Sequence, residues 1–226
     1  MSLFNNATVA CPHCGESREI SWAASVNAVR RPDLRAAILD RSFQAEPCES
    51  CGTQIRLPPH LTYVDMKRGD WILVYAADEL PEWTKKEAEA QALFNESFGP
   101  AAPAASREMA EGVSPRIAFG WPALREKLIC TELGLDDVTL EILKIAMMKT
   151  MGGVTLGGPT LRLVKGDSET LTFDVVDDAT EASTLTTEVP RGLYDDIAAD
   201  ATTWAPLRDR FANTALVDLT RFTVGG

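Results

Sequence analysis

Two copies of one short pattern constrain this chain more than anything else in it: Cys11-Pro12-His13-Cys14-Gly15 and Cys48-Glu49-Ser50-Cys51-Gly52. A Cys-x-x-Cys unit closed by glycine is the sequence of a zinc knuckle, a tight turn in which two sulfurs converge on one ion. Two such units supply four thiolates and complete a tetrahedral shell. The glycine at the exit of each turn accepts positive φ and lets the backbone approach the sulfurs where a Cβ would hinder it. A closed four-thiolate shell leaves no position for water or substrate. The expectation is therefore one structural zinc ion per chain, held by Cys11, Cys14, Cys48 and Cys51, that contributes folding free energy and no chemistry. The 33 residues between Cys14 and Cys48 exceed the ribbon spacing of about 15–20, but loop closure costs only about 0.6 kcal/mol more per doubling of length.

Cys-Pro-His-Cys alone is also the redox motif of thioredoxin-like oxidants, where a helix N-terminus activates the first thiol. Here Gly15 and then Arg18-Glu19-Ile20-Ser21-Trp22 follow, an alternating run that reads as a strand, and a redox enzyme has no use for a second glycine-closed pair. Structural disulfides are the remaining alternative; five cysteines, an odd number, suit a reducing compartment better. The fifth, Cys130, reads as a buried structural thiol.

With 226 residues, 45% of them hydrophobic, the chain is long enough for one large domain or two small ones. No apolar run approaches the length of a membrane span, and Met1-Ser2-Leu3-Phe4-Asn5-Asn6 lacks the character of a signal peptide, so a soluble cytoplasmic protein is expected. The net charge of −11 is uneven: residues 1–75 carry 8 Lys/Arg and 8 Asp/Glu, leaving 14 and 25 for residues 76–226. A nucleic-acid binder presents a basic face. Only Arg30, Arg31, Arg35, Arg41 and Arg56 offer the makings of one, and interleaved acids make them ordinary surface arginines.

The pattern predicts an α+β fold. A zinc-ribbon-like β module spans residues 1–98, with a helical insert opened by Pro32 that carries Leu34, Ala37 and Ile38 and caps the ribbon sheet. Strands fall at Gln54-Ile55-Arg56-Leu57 and at the continuous apolar run Trp71-Ile72-Leu73-Val74-Tyr75. A helix follows Pro81, with Trp83, Ala90, Leu93 and Phe94 on one side. Residues 99–113, rich in proline and alanine, read as a linker or exposed loop. Residues 114–226 then form an α+β module. Its helical hairpin has Leu124, Leu128 and Ile129 inward, a stop near Gly134, a cap at Asp136 or Asp137, and Leu135 stapled to Leu140, with a break at Gly152-Gly153. A strand hairpin over Thr160–Val164 and Thr170–Val175 and a helix around Leu193, Ile197 and Ala201 come next, and the stretch from Ala215 to Val224 is a last strand or a helical extension.

The two knuckles, Tyr63-Val64-Asp65-Met66, and above all the ordered pair Leu124-Arg125-Glu126-Lys127-Leu128-Ile129 and Leu133-Gly134-Leu135-Asp136-Asp137…Glu141-Ile142-Leu143-Lys144 resemble the bacterial CpXC family over roughly residues 7–150. The resemblance implies a cytoplasmic bacterial protein with a zinc site and brings no activity with it. The second knuckle lacks the proline of the first, which leaves the thiols intact.

Catalysis lacks its usual signs. The two histidines are His13, inside a knuckle, and His60; neither a Ser/His/Asp pattern nor a phosphate loop is present, and Gly152-Gly153 with Gly157-Gly158 precede strand-like residues where a dinucleotide fingerprint would open a helix. Tyr63 and Asp65 are candidates to line a ligand groove, with a ring packed at a sheet edge as the plainer reading. Asp136, Asp137 and Glu141 are candidates for a hard cation, with helix capping as the plainer reading. The function expected is a non-catalytic interaction or scaffold role, with a protein partner or a second copy and no membrane. The alternatives are a nucleic-acid-associated ribbon and an enzyme of unrecognised type.

Overall fold

The first cysteine turn is the tip of a hairpin whose arms are β1 (Leu3–Ala10) and β2 (Ser17–Asn27), paired antiparallel from Ala10↔Ser17 back to Leu3↔Ser25 with a bulge between Leu3 and Phe4. The computed structural model describes residues 2–150 and 158–223. Along β2, Ile20 packs with the cysteines, whereas Ala23 and Val26 enter the main core. Trp22, which alternates with Ile20 along the strand, is half-buried. The second cysteine turn joins two three-residue strands, β3 (Ala45–Pro47) and β4 (Gln54–Arg56), in a hairpin of their own.

Between the two turns lies α1 (Pro32–Leu39), begun at Pro32 as expected. Its buried Leu34 and Ile38 belong to the cluster of Tyr63, Val74, Leu124 and Leu128, so it covers the large sheet instead of capping the short ribbon strands. That sheet has five strands in the order β1-β2-β5-β6-β7, with β5 (Leu61–Asp65), β6 (Asp70–Tyr75) and β7 (Arg116–Phe119). β5 runs parallel to β2 and antiparallel to β6, and β7 runs parallel to β6. Every residue of β6 is buried, as a continuous apolar run requires when both faces are covered. Ile72 and Val74 face the cluster under α1, and Trp71, Leu73 and Tyr75 face Trp83 and Ala90 of α2 (Trp83–Phe98). The stretch read as a linker, 99–113, contains α3 (Ala104–Met109) and delivers the chain back into this same sheet as β7. The division expected there therefore runs through one sheet, joined by backbone hydrogen bonds on both sides of it.

The helical hairpin is α4 (Trp121–Glu132) and α5 (Asp137–Thr150). Gly134 turns it with φ +65, the N–H of Leu135 returns to the Cys130 carbonyl at 2.9 Å, and Leu135 and Leu140 share one apolar cluster. Under it lies a three-stranded antiparallel sheet, β10-β9-β8, built from β8 (Thr160–Gly166), β9 (Thr170–Val176) and β10 (Ser183–Pro190). β10, Ser-Thr-Leu-Thr-Thr-Glu-Val-Pro, is an exposed edge strand that carries little of the apolar signal of a strand. α6 (Arg191–Ala199) and α7 (Ala205–Phe211) close the layer. The segment from Ala215 onward, expected as a strand or helix, is an extended passage beside β7, with the Ile117 N–H donating to the Ala215 carbonyl at 3.0 Å, followed by a 3-10 turn over Leu219–Phe222. Val224 and Gly152, Gly153 and Gly157 lie outside the described residues. Gly120, at the entry to α4, has φ +85 and ψ 161, and a Cβ there would meet the Asp178 carbonyl oxygen at 2.7 Å; only glycine lets the β9–β10 turn sit this close to the helix. Among the described residues no helix is long and apolar enough to cross a membrane.

Candidate metal centre and the buried ionic network

The two cysteine turns are built alike. The Cys11 N–H donates to the Glu16 carbonyl at 2.8 Å and the Gly15 N–H to the Cys11 carbonyl at 3.0 Å; the Cys48 N–H donates to Thr53 and the Gly52 N–H to Cys48, both at 2.8 Å. Gly15 and Gly52 take φ of +74 and +73, the left-handed conformation their positions call for. The turns face each other so that Cys11 Sγ lies 3.7 Å from Cys51 Sγ and Cys14 Sγ 3.7 Å from Cys48 Sγ, and all four sulfurs lie within 4.8 Å of one another. Four thiolates at the usual zinc–sulfur distance stand about 3.8 Å apart in a tetrahedron, so this donor set fits a soft divalent ion. Cys11 and Cys48 are buried against Ile20 and Ile55, while Cys14 and Cys51 face outward beside the exposed His13.

The thiols are not electrostatically equal. Backbone N–H groups of Cys14 and His13 lower the Cys11 pKa, and the hydroxyl and N–H of Thr53 bring Cys51 down to about 6. For Cys14 the backbone at Glu16 favours the thiolate, but proton sharing with Cys51, burial, and the neighbouring Cys11 and Cys48 outweigh it and push the thiol up to about 12. Four sulfurs this close share protons unless a cation neutralises them, which is the chemistry of a metal site.

The helical hairpin carries a second concentration of charge, and it points inward. Lys144, 1% exposed, sits between Glu126 at 3.0 Å and Glu141 at 2.6 Å. Arg162 of β8 reaches Glu126 at 2.9 Å and Asp178 and Asp218 at 2.5 Å each. Backbone groups complete the shell, Leu163 N–H to Glu126 at 2.7 Å and Leu219 N–H to Glu141 at 2.9 Å. Lys127 bridges Asp137 and the Val217 carbonyl, and Arg116 pairs with Asp137 at 2.8 Å. Burial opposes ionisation throughout. It raises Glu141 to about 7, whereas at Asp137 the cations Lys127 and Arg116 prevail over burial and hold the carboxyl below its ordinary value.

This network settles two candidates. Asp136 caps α5 by accepting from the Thr139 N–H at 2.8 Å and hydroxyl at 2.7 Å, whereas Asp137 and Glu141 are partners of buried cations, so the three carboxylates do not converge on one point. Tyr63 is wholly buried in the central strand and Asp65 is 5% exposed; neither lines a groove, and Tyr63 packs in the core, not at a sheet edge. Cys130 is buried, its thiol donating to the Leu135 carbonyl at 3.3 Å, with burial raising its pKa. Of the arginines expected as surface groups, Arg31 pairs with Asp33, Arg35 with Glu132, and Arg56 with Glu181, which Arg125 shares. His60 is exposed beside Glu79. The residues that sequence reasoning passed over are Arg125, Glu126, Lys127, Lys144 and Arg162. A signal was present: three consecutive charges inside Leu124–Ile129 sweep about 200° of helix surface at 100° per residue, too wide an arc to share one solvent face with Leu124 and Leu128 turned inward.

Asp70 faces Asp65 across the β5–β6 hairpin and accepts from the Thr131 hydroxyl at 2.8 Å, while its Oδ2 is buried without a partner. Burial, aided by the Asp65 charge, pushes its pKa up to about 6 from 3.8. A carboxyl whose folded pKa is raised favours folding while protonated, so its contribution is intact below about pH 4 and is lost as pH rises to about 6, up to about 3 kcal/mol at 1.36 kcal/mol per unit. Asp70→Asn keeps the acceptor for Thr131 and removes the charge. It is expected to stabilise the protein by about 1–2 kcal/mol at pH 7.5 and to flatten urea midpoints between pH 4 and 6; a variant no more stable than wild type at pH 7.5 contradicts this.

No curated protein and no solved structure matches the chain. The family model described as CpXC protein matches residues 9–144, a span that begins just before the first cysteine turn and ends on Lys144, and so takes in all four thiols, α4 and the first part of α5. The chain belongs to the CpXC protein family.

Proposed function

We propose that this protein is a non-catalytic interaction protein of the cytoplasm in which one zinc ion, held by Cys11, Cys14, Cys48 and Cys51, fastens an edge strand to which a second copy of the chain adds its own. The observation that carries this reading is β1. It is the outer strand of the five-stranded sheet, eight residues long, and it runs directly into Cys11. Natural sheet edges are guarded by charge, proline or short length; Leu-Phe-Asn-Asn-Ala-Thr-Val-Ala has neither charge nor proline, and Leu3 and Phe4 are 57% and 40% exposed. Because the Cys11 N–H points to Glu16, ladder alternation turns the backbone of Val9, Ala7 and Asn5 toward β2 and that of Ala10, Thr8, Asn6 and Phe4 outward. Antiparallel self-pairing with Asn6 opposite Thr8 engages all four outward residues of each copy and brings no like charges together.

Zinc is favoured among soft ions by the four thiolates and their tetrahedral spacing, and reduced thiols belong to a reducing compartment. A non-catalytic role is supported by the way the interior acids and bases engage one another. A nucleic-acid role finds less support in a chain of net charge −11. Sedimentation velocity tests the proposal: the metal-loaded chain is expected to dimerise at micromolar concentration, and the double variant Asn6→Lys, Thr8→Lys to be monomeric with zinc content and circular dichroism unchanged. A wild-type monomer throughout that range, or a double variant that dimerises as wild type does, overturns it.

A further inference from the structure

Where the β9–β10 turn meets the second cysteine hairpin, two arginines share one carboxylate and a third, Arg41, stands close enough to act on one of them. Glu181 receives Arg56 Nε at 2.7 Å and, on its other oxygen, Arg125 Nη2. Arg56 spends Nη1 on the carbonyls of Arg41 and Phe43, each at 2.7 Å, and lays its guanidinium over the Trp121 ring. Two N–H-bearing nitrogens of this group, Arg56 Nη2 and Arg125 Nη1, are buried without a hydrogen-bond partner, and Arg125 as a residue is 6% exposed. A buried guanidinium nitrogen left without an acceptor is costly, and native interiors fill such positions with a ligand, an ion or water. Arg56 and Arg125 share the single carboxylate of Glu181, and the charge of Arg41 acts on Arg125 as well, while Arg162 nearby is engaged by Glu126, Asp178 and Asp218. Burial, together with Arg41 and Arg56, lowers the Arg125 pKa in spite of Glu181.

The backbone around the cluster is held in an unusual state. Of the four non-glycine residues with positive φ among those described, three are here, Arg41 at +69, Gln44 at +53 and Glu181 at +61, and strain of this kind persists where surrounding structure over-determines a site. Beside them opens a cleft of about 60 Å³ whose walls include Leu39, Arg41, Pro122, Arg125 and Ile129. At roughly 10–15 Å³ per water-sized probe that space takes about four to six waters or one tetrahedral oxyanion, and it is too small to enclose a larger organic acid. Apolar walls at Leu39, Pro122 and Ile129 weaken screening inside it, and the guanidinium fork matches the oxygens of such an anion.

We infer that this cleft binds a phosphate group, with Arg125 and Arg41 as the donors that meet it and Glu181 as the carboxylate that competes with it. The inference stands apart from the β1 edge. The test is calorimetric titration of the metal-loaded full chain with inorganic phosphate, with sodium chloride at matched ionic strength as control and phosphoserine as a tethered phosphate. Saturable binding of phosphate with no response to chloride is expected. Arg41→Gly removes one cation while suiting φ +69 and is expected to weaken binding at least about tenfold, the loss of one charged hydrogen bond. Glu181→Gln removes the competitor and is expected to tighten it severalfold. Should that variant fail to fold, Arg41→Gly, at an exposed position, decides alone. Phosphoserine binding as well as inorganic phosphate upholds the inference and shows that the mouth admits a tethered group; inorganic phosphate alone upholds it for the free ion. Phosphate acting no differently from chloride, or binding Arg41→Gly as it binds wild type, overturns it and leaves the cleft to water.

Discussion

Serine in place of Cys48 is expected to abolish zinc binding and to unfold the cysteine-bearing end of the molecule. The apolar support there is slight: Cys11, Ile20, Cys48 and Ile55 form a cluster of their own with Val9 and Leu57 packed against it, and β3 and β4 are three residues each. A two-stranded hairpin of that size is marginal in water, whereas a structural zinc site contributes apparent binding free energy of about 10–16 kcal/mol at neutral pH. A zinc ion bound there would outweigh everything else that holds the second turn against the first. Native mass spectrometry is expected to fall from one zinc per chain to none, and limited proteolysis to open the chain between Phe43 and Leu57. The clusters around Leu124 and Phe173 are expected to persist, so unfolding of Cys48→Ser splits into two transitions. A wild-type chain that is native, cooperative and metal-free, with four titratable thiols, would falsify the prediction together with the zinc assignment.

Lys144→Met should cost about 3–5 kcal/mol, the penalty for breaking a buried ion pair from one side. Methionine fills much of the same volume, so the loss is electrostatic: of Glu126 and Glu141, each 1% exposed, Glu126 is left with Arg162, which already serves Asp178 and Asp218, and Glu141 loses its ion-pair partner and keeps only the weaker influence of Lys127. The sign with pH follows. Glu141 already sits at about 7 because of burial, whereas Glu126 is held below its ordinary value against burial by Lys144 and Arg162; without Lys144 both carboxyls move up, folding favours the protonated form of Glu141 more strongly, and stability falls as pH rises from the unfolded carboxyl range through neutrality. Urea denaturation at pH 5.5 and pH 8 is expected to show the larger deficit at pH 8. Adding Glu141→Gln should recover part of it, and equal deficits at both pH values would exclude the electrostatic account.

What could be seen in the sequence was local. The cysteine spacing with its glycines, the proline at the start of α1, the stop at Gly134, the Asp136 cap and the β8–β9 hairpin each depend on a few neighbouring residues, and each is found in place. What escaped depends on distant partners. β7 joins a sheet begun far upstream, and β10 carries polar side chains because one edge of its sheet is wet. The charged residues of α4 and α5 look like solvated faces until Arg162 and Asp218, 36 and 92 positions beyond Glu126, are brought to them. A hydrophobicity pattern has no means of registering ion pairs formed across such separations. The same limit applies to the cluster at Glu181, which joins Arg56 from 125 positions away.

The inward charges of α4 and α5 have a further consequence during synthesis and refolding. The cysteine turns and hairpins close early, since their contacts are local, but Lys127 and Glu141 find their backbone partners only when Val217 and Leu219 arrive, and long-range closures come late. Until then the two helices that occupy the centre of the finished protein expose arginine, glutamate and lysine among their leucines. Such residues act as gatekeepers against aggregation, so the ionic interior that costs the native state free energy keeps the half-folded chain soluble.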